Sequence, residues 1–366
     1  MQAKRIIISA GGTGGHIFPA LAVAGELKKR LPSSDILFVG ALEKMEMERV
    51  PAAGFRIIGL PVMGFPRKPG IKWLKFLWML VRSSRSARRI IKDFDPHVAA
   101  GFGGYASGPV LRAAAQKKVP ALIQEQNSYA GITNKLLGKR VLKICVAYEN
   151  MKNFFPENKI VLTGNPVREA LLSGLPGKTE ACDFFNLNPA RQVILIIGGS
   201  LGARSINDAV LKNIDGIKNA EINVIWQTGE LYYDEMIQKT SGKTPANLQI
   251  HKFLTRMDMA YGAADVIVSR AGAGTISELC VVGKPILLVP SPNVAEDHQT
   301  KNAVALAQKN AAVQVSDEKI GEVLLEATFQ LLNDKNRLEE LSRNIKKMAK
   351  PDATKKIVDE IIGIMK

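Results

Sequence analysis

The chain is short of cysteine, of metal-ligand clusters and of long apolar runs. Its three cysteines, Cys145, Cys182 and Cys280, are odd in number and far apart. That pattern excludes a disulfide framework and a zinc-finger spacing, and it suits a reducing cytoplasm. No run of ~20 apolar residues occurs, which argues against a membrane-spanning helix. No cleavable leader pattern follows the opening residues, so a soluble or peripheral protein is expected. The glycine-rich stretches lack the Lys and Ser/Thr of a P-loop, which disfavours ATP hydrolysis. There is no Asp-x-Asp suited to Mg²⁺ beside a diphosphate, so no metal and no cofactor are expected.

What is present begins with length and charge. The 366 residues suggest two domains, and 46% hydrophobic content lets each bury a core. A balance of 50 basic against 34 acidic residues gives +16. Such a charge invites anionic partners: phosphorylated substrates, nucleic acid or an anionic membrane.

The organising stretch is Ile6-Ile7-Ile8-Ser9-Ala10-Gly11-Gly12-Thr13-Gly14-Gly15-His16. A short apolar run ends, glycines crowd around one threonine, and a helical pattern starts. A loop without side chains lets main-chain N–H groups approach a bound group, and the helix N-terminus adds partial positive charge. Phosphate is the natural ligand; a tight turn without a ligand is the plain alternative.

Strand patterns follow at residues 35–39, 55–59, 97–100, 119–124, 142–147 and 159–162, with helices expected over 18–30 and 43–53. The alternation predicts an α/β fold with parallel sheets covered on both faces. A second glycine loop, Gly101-Phe102-Gly103-Gly104-Tyr105, follows the strand at 97–100. The strand at 119–124 runs into Glu125-Gln126-Asn127. Glu125 is a candidate acid or base there, or equally a loop-capping carboxylate.

Turn chemistry at Thr163-Gly164-Asn165-Pro166-Val167-Arg168 marks a domain boundary between residues 163 and 164. Arg168 can clamp a diphosphate or form a surface ion pair. The opening motif then recurs: a strand at 193–197 leads into Gly198-Gly199-Ser200-Leu201-Gly202-Ala203. Further strands are expected at 222–226, 248–251, 265–268 and 285–289. The strand at 265–268 opens a helix through Ser269-Arg270-Ala271-Gly272-Ala273-Gly274-Thr275-Ile276-Ser277-Glu278. Glu278 can accept ribose hydroxyls, or serve as an N3 capping-box residue. Residues 317–366 read as helical, with breaks at 333–334 and 350–351.

Residues 64–92 stand apart. They hold Ile71, Trp73, Leu74, Phe76, Leu77, Trp78 and Val81, nine basic residues and no acid. Lys68, Lys72, Lys75, Arg82 and Arg89 fall on one helical stripe. A basic amphipathic helix carrying tryptophan reads as a membrane-surface element, with Ile71, Trp73, Leu74, Leu77 and Trp78 in contact. The alternative is an ordinary domain helix whose apolar face is core.

Taken in order, the glycine motifs, Gln124-Glu125-Gln126-Asn127, Gly164-Asn165-Pro166-Val167-Arg168 and Asp297-His298-Gln299 resemble the MurG family over nearly the whole chain. The resemblance implies a GT-B glycosyltransferase fold: two Rossmann-like domains facing a central cleft. Residues 1–163 would form the acceptor and membrane domain, 164–350 the donor domain, and a C-terminal helix at 351–366 would return to the first. It implies inverting, metal-independent transfer of N-acetylglucosamine from UDP-N-acetylglucosamine to the C4 hydroxyl of MurNAc in lipid I. The products would be lipid II and UDP, in peptidoglycan synthesis at the cytoplasmic face of a bacterial inner membrane. Thr13, Gly14, Gly15, Asn127, Arg168, Ser200, Leu254 (by its backbone), Ala273, Gly274, Thr275, Ile276, Ser277, Glu278 and Gln299 match the donor contacts. His16 and Tyr105 match the acceptor side. His16 is the candidate general base, because histidine titrates near neutrality, with Glu125 its competitor.

Other readings carry less. A UDP-sugar 2-epimerase would share the fold but needs neither lipid nor a membrane helix. Nucleic-acid binding is disfavoured, because the basic residues gather beside Trp73 and Trp78 instead of lining a groove with spaced aromatics. An NAD-dependent oxidoreductase needs only one dinucleotide loop.

Overall fold

The computed structural model describes residues 3–64, 70–294 and 297–366. Arg67, and Lys68 of the basic stripe, lie outside the described residues, as do the side chains of Ile71 and Lys72. The chain divides into two compact units, Met1–Val167 with Pro351–Lys366, and Arg168–Lys350.

The first unit alternates β1 (Arg5–Ser9), α1 (Gly14–Arg30), β2 (Asp35–Ala41), α2 (Glu46–Ala52), β3 (Arg56–Leu60), α3 (Ile71–Phe94), β4 (Val98–Gly101), α4 (Ser107–Gln116), β5 (Ala121–Glu125), α5 (Ile132–Gly138), β6 (Lys143–Val146) and β7 (Ile160–Leu162). Its strands form one parallel sheet in the order β3-β2-β1-β4-β5-β6-β7. The all-isoleucine run of β1 follows from burial on both faces. Ile7 enters the core with Val110, Leu111 and Ile91, whereas Ile6 and Ile8 enter the opposite one with Ile17, Val23 and Leu27. The last helix of the chain, Ala353–Ile364, closes that second core with Ile357, Val358 and Ile361.

The second unit contains α6 (Glu169–Leu172), α7 (Lys178–Phe184), β8 (Gln192–Ile197), α8 (Arg204–Lys212), α9 (Ile214–Asn219), β9 (Ile222–Gln227), α10 (Tyr233–Thr240), β10 (Leu248–His251), α11 (Met257–Ala263), β11 (Val266–Ser269), α12 (Ala273–Val282), β12 (Ile286–Leu288), α13 (His298–Ala307), β13 (Val313–Gln314), α14 (Ile320–Asn333) and α15 (Lys335–Lys347). The strands again pair in parallel, in the order β10-β9-β8-β11-β12-β13. At its centre Trp226 is fully buried, and its indole N–H donates to Asn207 at 3.0 Å. The three cysteines are buried and unpaired; burial pushes the Cys145 and Cys280 thiols up to about 12.

Three expectations shift. The helix expected from residue 43 starts at Glu46, because Glu43 takes a left-handed φ of 59°. Helix α1 starts at Gly14, four residues ahead of the expected residue 18. The boundary between the units falls after Val167. Thr163 and Gly164 both donate their N–H to the Val146 carbonyl, at 3.0 and 3.1 Å, which binds that stretch to β6.

Removing buried methyls from the last helix tests its share of the first core. Ile361→Ala is expected to destabilise the first unit by about 2–5 kcal/mol, read from the midpoint of its urea transition.

Candidate functional site

In each sheet, a strand order that reverses direction leaves a crevice where ligands bind, outside the carboxyl ends of the two central strands. In the first unit those strands are β1 and β4, and in the second β8 and β11. All four are followed by the glycine-rich or small-residue loops singled out from the sequence.

In the first unit, Thr13 is the extended N-cap of α1, and its carbonyl accepts from the His16 and Ile17 N–H groups at 3.1 and 3.2 Å. Helix geometry leaves the Gly14 and Gly15 N–H groups as the orphan donors of the first turn. The Gly12 N–H is taken internally, by the Glu46 carboxylate at 3.1 Å. His16 Nδ1 lies 3.1 Å from the Gly11 carbonyl and 3.2 Å from the Thr13 hydroxyl. The second glycine loop closes over this arrangement. A Cβ on Gly103 would sit 2.7 Å from the His16 ring, and one on Gly104 would sit 2.1 Å from the Gly11 carbonyl oxygen. Both glycines also have left-handed φ values, 93° and 82°, so no other residue fits. Tyr105 follows them, exposed.

Glu125 ends β5, buried. Its carboxylate accepts from the Asn127 and Gly131 N–H groups at 3.1 and 3.0 Å, and from the Asn134 amide at 2.9 Å. Burial raises its carboxyl above the ordinary value, and those donors pull in the opposite direction. The loop that carries Asn127 is thus wrapped around Glu125. Gln126 and Asn165 extend the network, with Gln126 donating to the Phe102 carbonyl at 2.8 Å and Asn165 to the Gln126 carbonyl at 3.0 Å.

In the second unit, Gly199 and Gly202 turn the chain with φ near 88° and 89°. Ser200 and Leu201 form the loop between them, Leu201 exposed. Helix α12 presents its N-terminus from Ala273. The Ile276 N–H donates to the Gly272 carbonyl at 2.9 Å. The Ser277 hydroxyl donates back to the Ala273 carbonyl at 2.9 Å. The first-turn donors are therefore those of Ala273, Gly274 and Thr275. Glu278 is the sixth residue of α12, not its N3, which removes the capping-box alternative. It meets Arg168 Nε at 2.8 Å. Burial raises the Glu278 carboxyl, while Arg168 and the Tyr261 hydroxyl act the other way. Gln299 accepts the Ser291 N–H at 2.9 Å.

Sequence reasoning missed several residues that hold these loops. Gln227, at the end of β9, donates to the Gly199 carbonyl at 3.1 Å and accepts the Leu254 N–H at 2.9 Å. That engages the Leu254 N–H. Arg270 pairs with Asp317 and donates to Ser205 at 2.8 Å. These three line a cavity of about 470 Å³ together with Gly198, Gly202 and Gln299. Each such partner is distant in sequence, so no local motif marks it. Asp93-Phe94-Asp95 ends α3, with Asp93 on Arg89 and Asp95 on Arg5. Among the described residues no group of three or more His, Cys, Asp or Glu could hold a metal ion.

Helix α3 is divided along its length. Ser83, Ala87 and Ile91 are buried, whereas Leu74 is 70% and Trp78 59% exposed, with Leu77 and Val81 also open. Arg82 stacks over the Trp78 ring at 5.3 Å. Among the described residues no helix is long and apolar enough to cross a membrane.

Residues 6–146 match the glycosyltransferase family 28 N-terminal domain, and residues 193–357 its C-terminal domain. The UDP-N-acetylglucosamine--N-acetylmuramyl-(pentapeptide) pyrophosphoryl-undecaprenol N-acetylglucosamine transferase of Parabacteroides distasonis is 53% identical over 365 residues, covering 100% of this chain and 99% of the relative. The Flavobacterium psychrophilum protein of the same name is 50% identical, again over 100% of this chain and 99% of its own. Acinetobacter baumannii MurG superposes with a TM-score of 0.79 at 30% identity, covering 98% and 99% of the two chains. UDP-GlcNAc 2-epimerase from Neisseria meningitidis reaches 0.69 at 16% identity, covering 98% and 100%, a likeness of fold alone.

The raised carboxyl of Glu278 makes a pH-dependent prediction. If Glu278 holds a ribose, as the sequence leads one to expect, only its ionised form can accept both hydroxyls, so uridine diphosphate should bind more weakly as pH falls. The loss should begin above the ~4.3 of an ordinary glutamate and vanish in Glu278→Gln, as read by calorimetric titration.

Proposed function

Because the chain belongs to the MurG family within glycosyltransferase family 28, we propose that it transfers N-acetylglucosamine from UDP-N-acetylglucosamine to the muramyl C4 hydroxyl of lipid I, giving lipid II and UDP. The observation that carries this reading is full-length identity of 53% to a transferase of that name, joined to glycine loops at both switch points.

The hard step is departure of UDP, which gains negative charge as the glycosidic bond breaks. In this reading the charge meets the loop around Ser200, the first-turn N–H groups of α12 and the outer edge of the Arg168 guanidinium. Such preorganised donors act as an oxyanion hole does. Glu278 receives the ribose, the Leu254 carbonyl the uracil, and Ala273 to Ser277 and Gln299 line the donor. Thr13, Gly14, Gly15 and Asn127 are the first unit's own candidates for contact with the donor. The acceptor hydroxyl loses its proton to His16 as it attacks the anomeric carbon with inversion, and Tyr105 faces the acceptor. Glu125 serves by holding the loop of Asn127, since its carboxylate is already filled by donors.

Membrane docking belongs to the same reading. The exposed half of α3 offers Leu74, Leu77, Trp78 and, less openly, Trp73. Lys75, Arg82, Arg85, Arg88 and Arg89 are exposed around them. Apolar insertion flanked by basic charge suits an anionic bilayer surface at which a lipid-linked acceptor resides.

Transfer of labelled N-acetylglucosamine to a short-chain lipid I analogue tests the activity directly. His16→Ala should lower kcat by about 10²–10⁴-fold and abolish the acidic limb of the pH–rate profile. Wild-type turnover in that variant removes His16 as the base. Sedimentation with phosphatidylglycerol vesicles should fall sharply when Trp73 and Trp78 are both changed to Ser, and binding that survives the change rules α3 out as the contact.

A further inference from the structure

Glu46 is 1% exposed, and nothing in the reading above uses it. Its carboxylate accepts from the Ala41 N–H at 2.9 Å and from the Gly12 N–H, at 3.1 Å to Oε1 and 3.2 Å to Oε2. Two glycines make room for it. A Cβ on Gly11 would lie 2.4 Å from Glu46 Oε1, and one on Gly40 would lie 2.6 Å from Glu46 Cγ. A carboxylate is costly to bury on neutral donors, so the contact is an unusual way merely to fill space.

The Gly12 N–H and the Gly11 carbonyl belong to one planar peptide unit and point in opposite directions. Glu46 grips the N–H side. His16 Nδ1 meets the carbonyl side at 3.1 Å. A carbonyl oxygen can only accept, so that contact requires the proton on Nδ1. The Thr13 hydroxyl, 3.2 Å away, can accept from the same N–H. In the neutral ring the lone pair is then on Nε2, the nitrogen a base would use. Gly103 and Gly104 approach the ring and the carbonyl from the other side, where a Cβ on either would clash.

We propose that Glu46 is a positioning residue for His16. Its carboxylate fixes the Gly11–Gly12 peptide, and the Gly11 carbonyl in turn fixes the ring tautomer that leaves Nε2 basic. The relay does what a carboxylate bonded directly to a histidine does elsewhere, with a peptide plane interposed. Its catalytic meaning rests on His16 being the base, whereas the tautomer itself does not.

The test is ¹⁵N-histidine NMR of the full chain. There are four histidines, and His16→Gln identifies the ring in question. In the wild type the neutral His16 ring should be protonated on Nδ1. In Glu46→Leu, which keeps the volume and loses the acceptors, the proton should move largely to Nε2. With lipid I analogue and UDP-N-acetylglucosamine, kcat should fall on the order of 10²-fold with the donor KM little changed, short of the ~10⁴ of a wrong tautomer in a serine-protease triad. Glu46→Gln, which keeps one oxygen for both N–H groups, should lie between in both readouts. A folded Glu46→Leu protein whose His16 stays protonated on Nδ1 overturns the proposal, as does a Gln variant as impaired as the Leu one. Should the Leu variant fail to fold, Glu46→Asp, one methylene short of Gly12, takes its place under the same criteria. If His16→Ala retains turnover, the base assignment falls, while the tautomer shift in the Glu46 variants still decides whether this relay exists.

Discussion

A parallel strand buried on both faces must hand the chain to a helix within a few residues, at the end of the sheet where helix N-termini gather. That constraint shapes both units. The loops after β1, β4, β8 and β11 are built from glycine and small residues, and in those after β4 and β8 another backbone lies where a Cβ would be. Gly202, for instance, would press a Cβ to 2.1 Å from the Thr228 carbonyl oxygen. Once side chains are absent, the N–H groups that the helices cannot satisfy face outward together. Anion recognition is then a property of the main chain, and the side chains serve to keep that main chain still.

This division of labour explains what surrounds the loops. Gln227, Glu125 and Glu46 are each spent on main-chain groups of a neighbouring loop. Arg270 is spent on Asp317 and Ser205. Of the charged residues expected to touch a ligand, Arg168 and Glu278 already hold one another at 2.8 Å. The pair orients both side chains, and half the Arg168 side chain stays open to solvent.

Much of the fold was legible in the sequence because its signal is local. A run such as Ile6-Ile7-Ile8 before a glycine cluster has few other interpretations, and the same logic located β8 and β11. Legibility fails where the determinant is remote or small. The start of α1 was misjudged because Gly14 and Gly15 carry no apolar period. The register of Glu278 stays open in the sequence because the small residues before it hide where α12 begins. Strand β13 is only two residues long, too short for any alternation. Nothing in Lys44-Met45-Glu46-Met47-Glu48 separates Glu46 from Glu48; the partner that does is Gly12, 34 positions away. The two-faced nature of α3 is visible in the sequence, and burial divides the helix at about Ser83 into an outer and an inner half.

The sealed thiols have a practical side. With Cys145, Cys182 and Cys280 inside the cores and the pKa of each raised by burial, the native protein offers maleimide dyes almost no thiolate. Cysteines introduced on the outer surface of each unit can therefore carry a donor and an acceptor fluorophore without first stripping the natural ones, and single-molecule spectroscopy of the working enzyme needs no cysteine-free background.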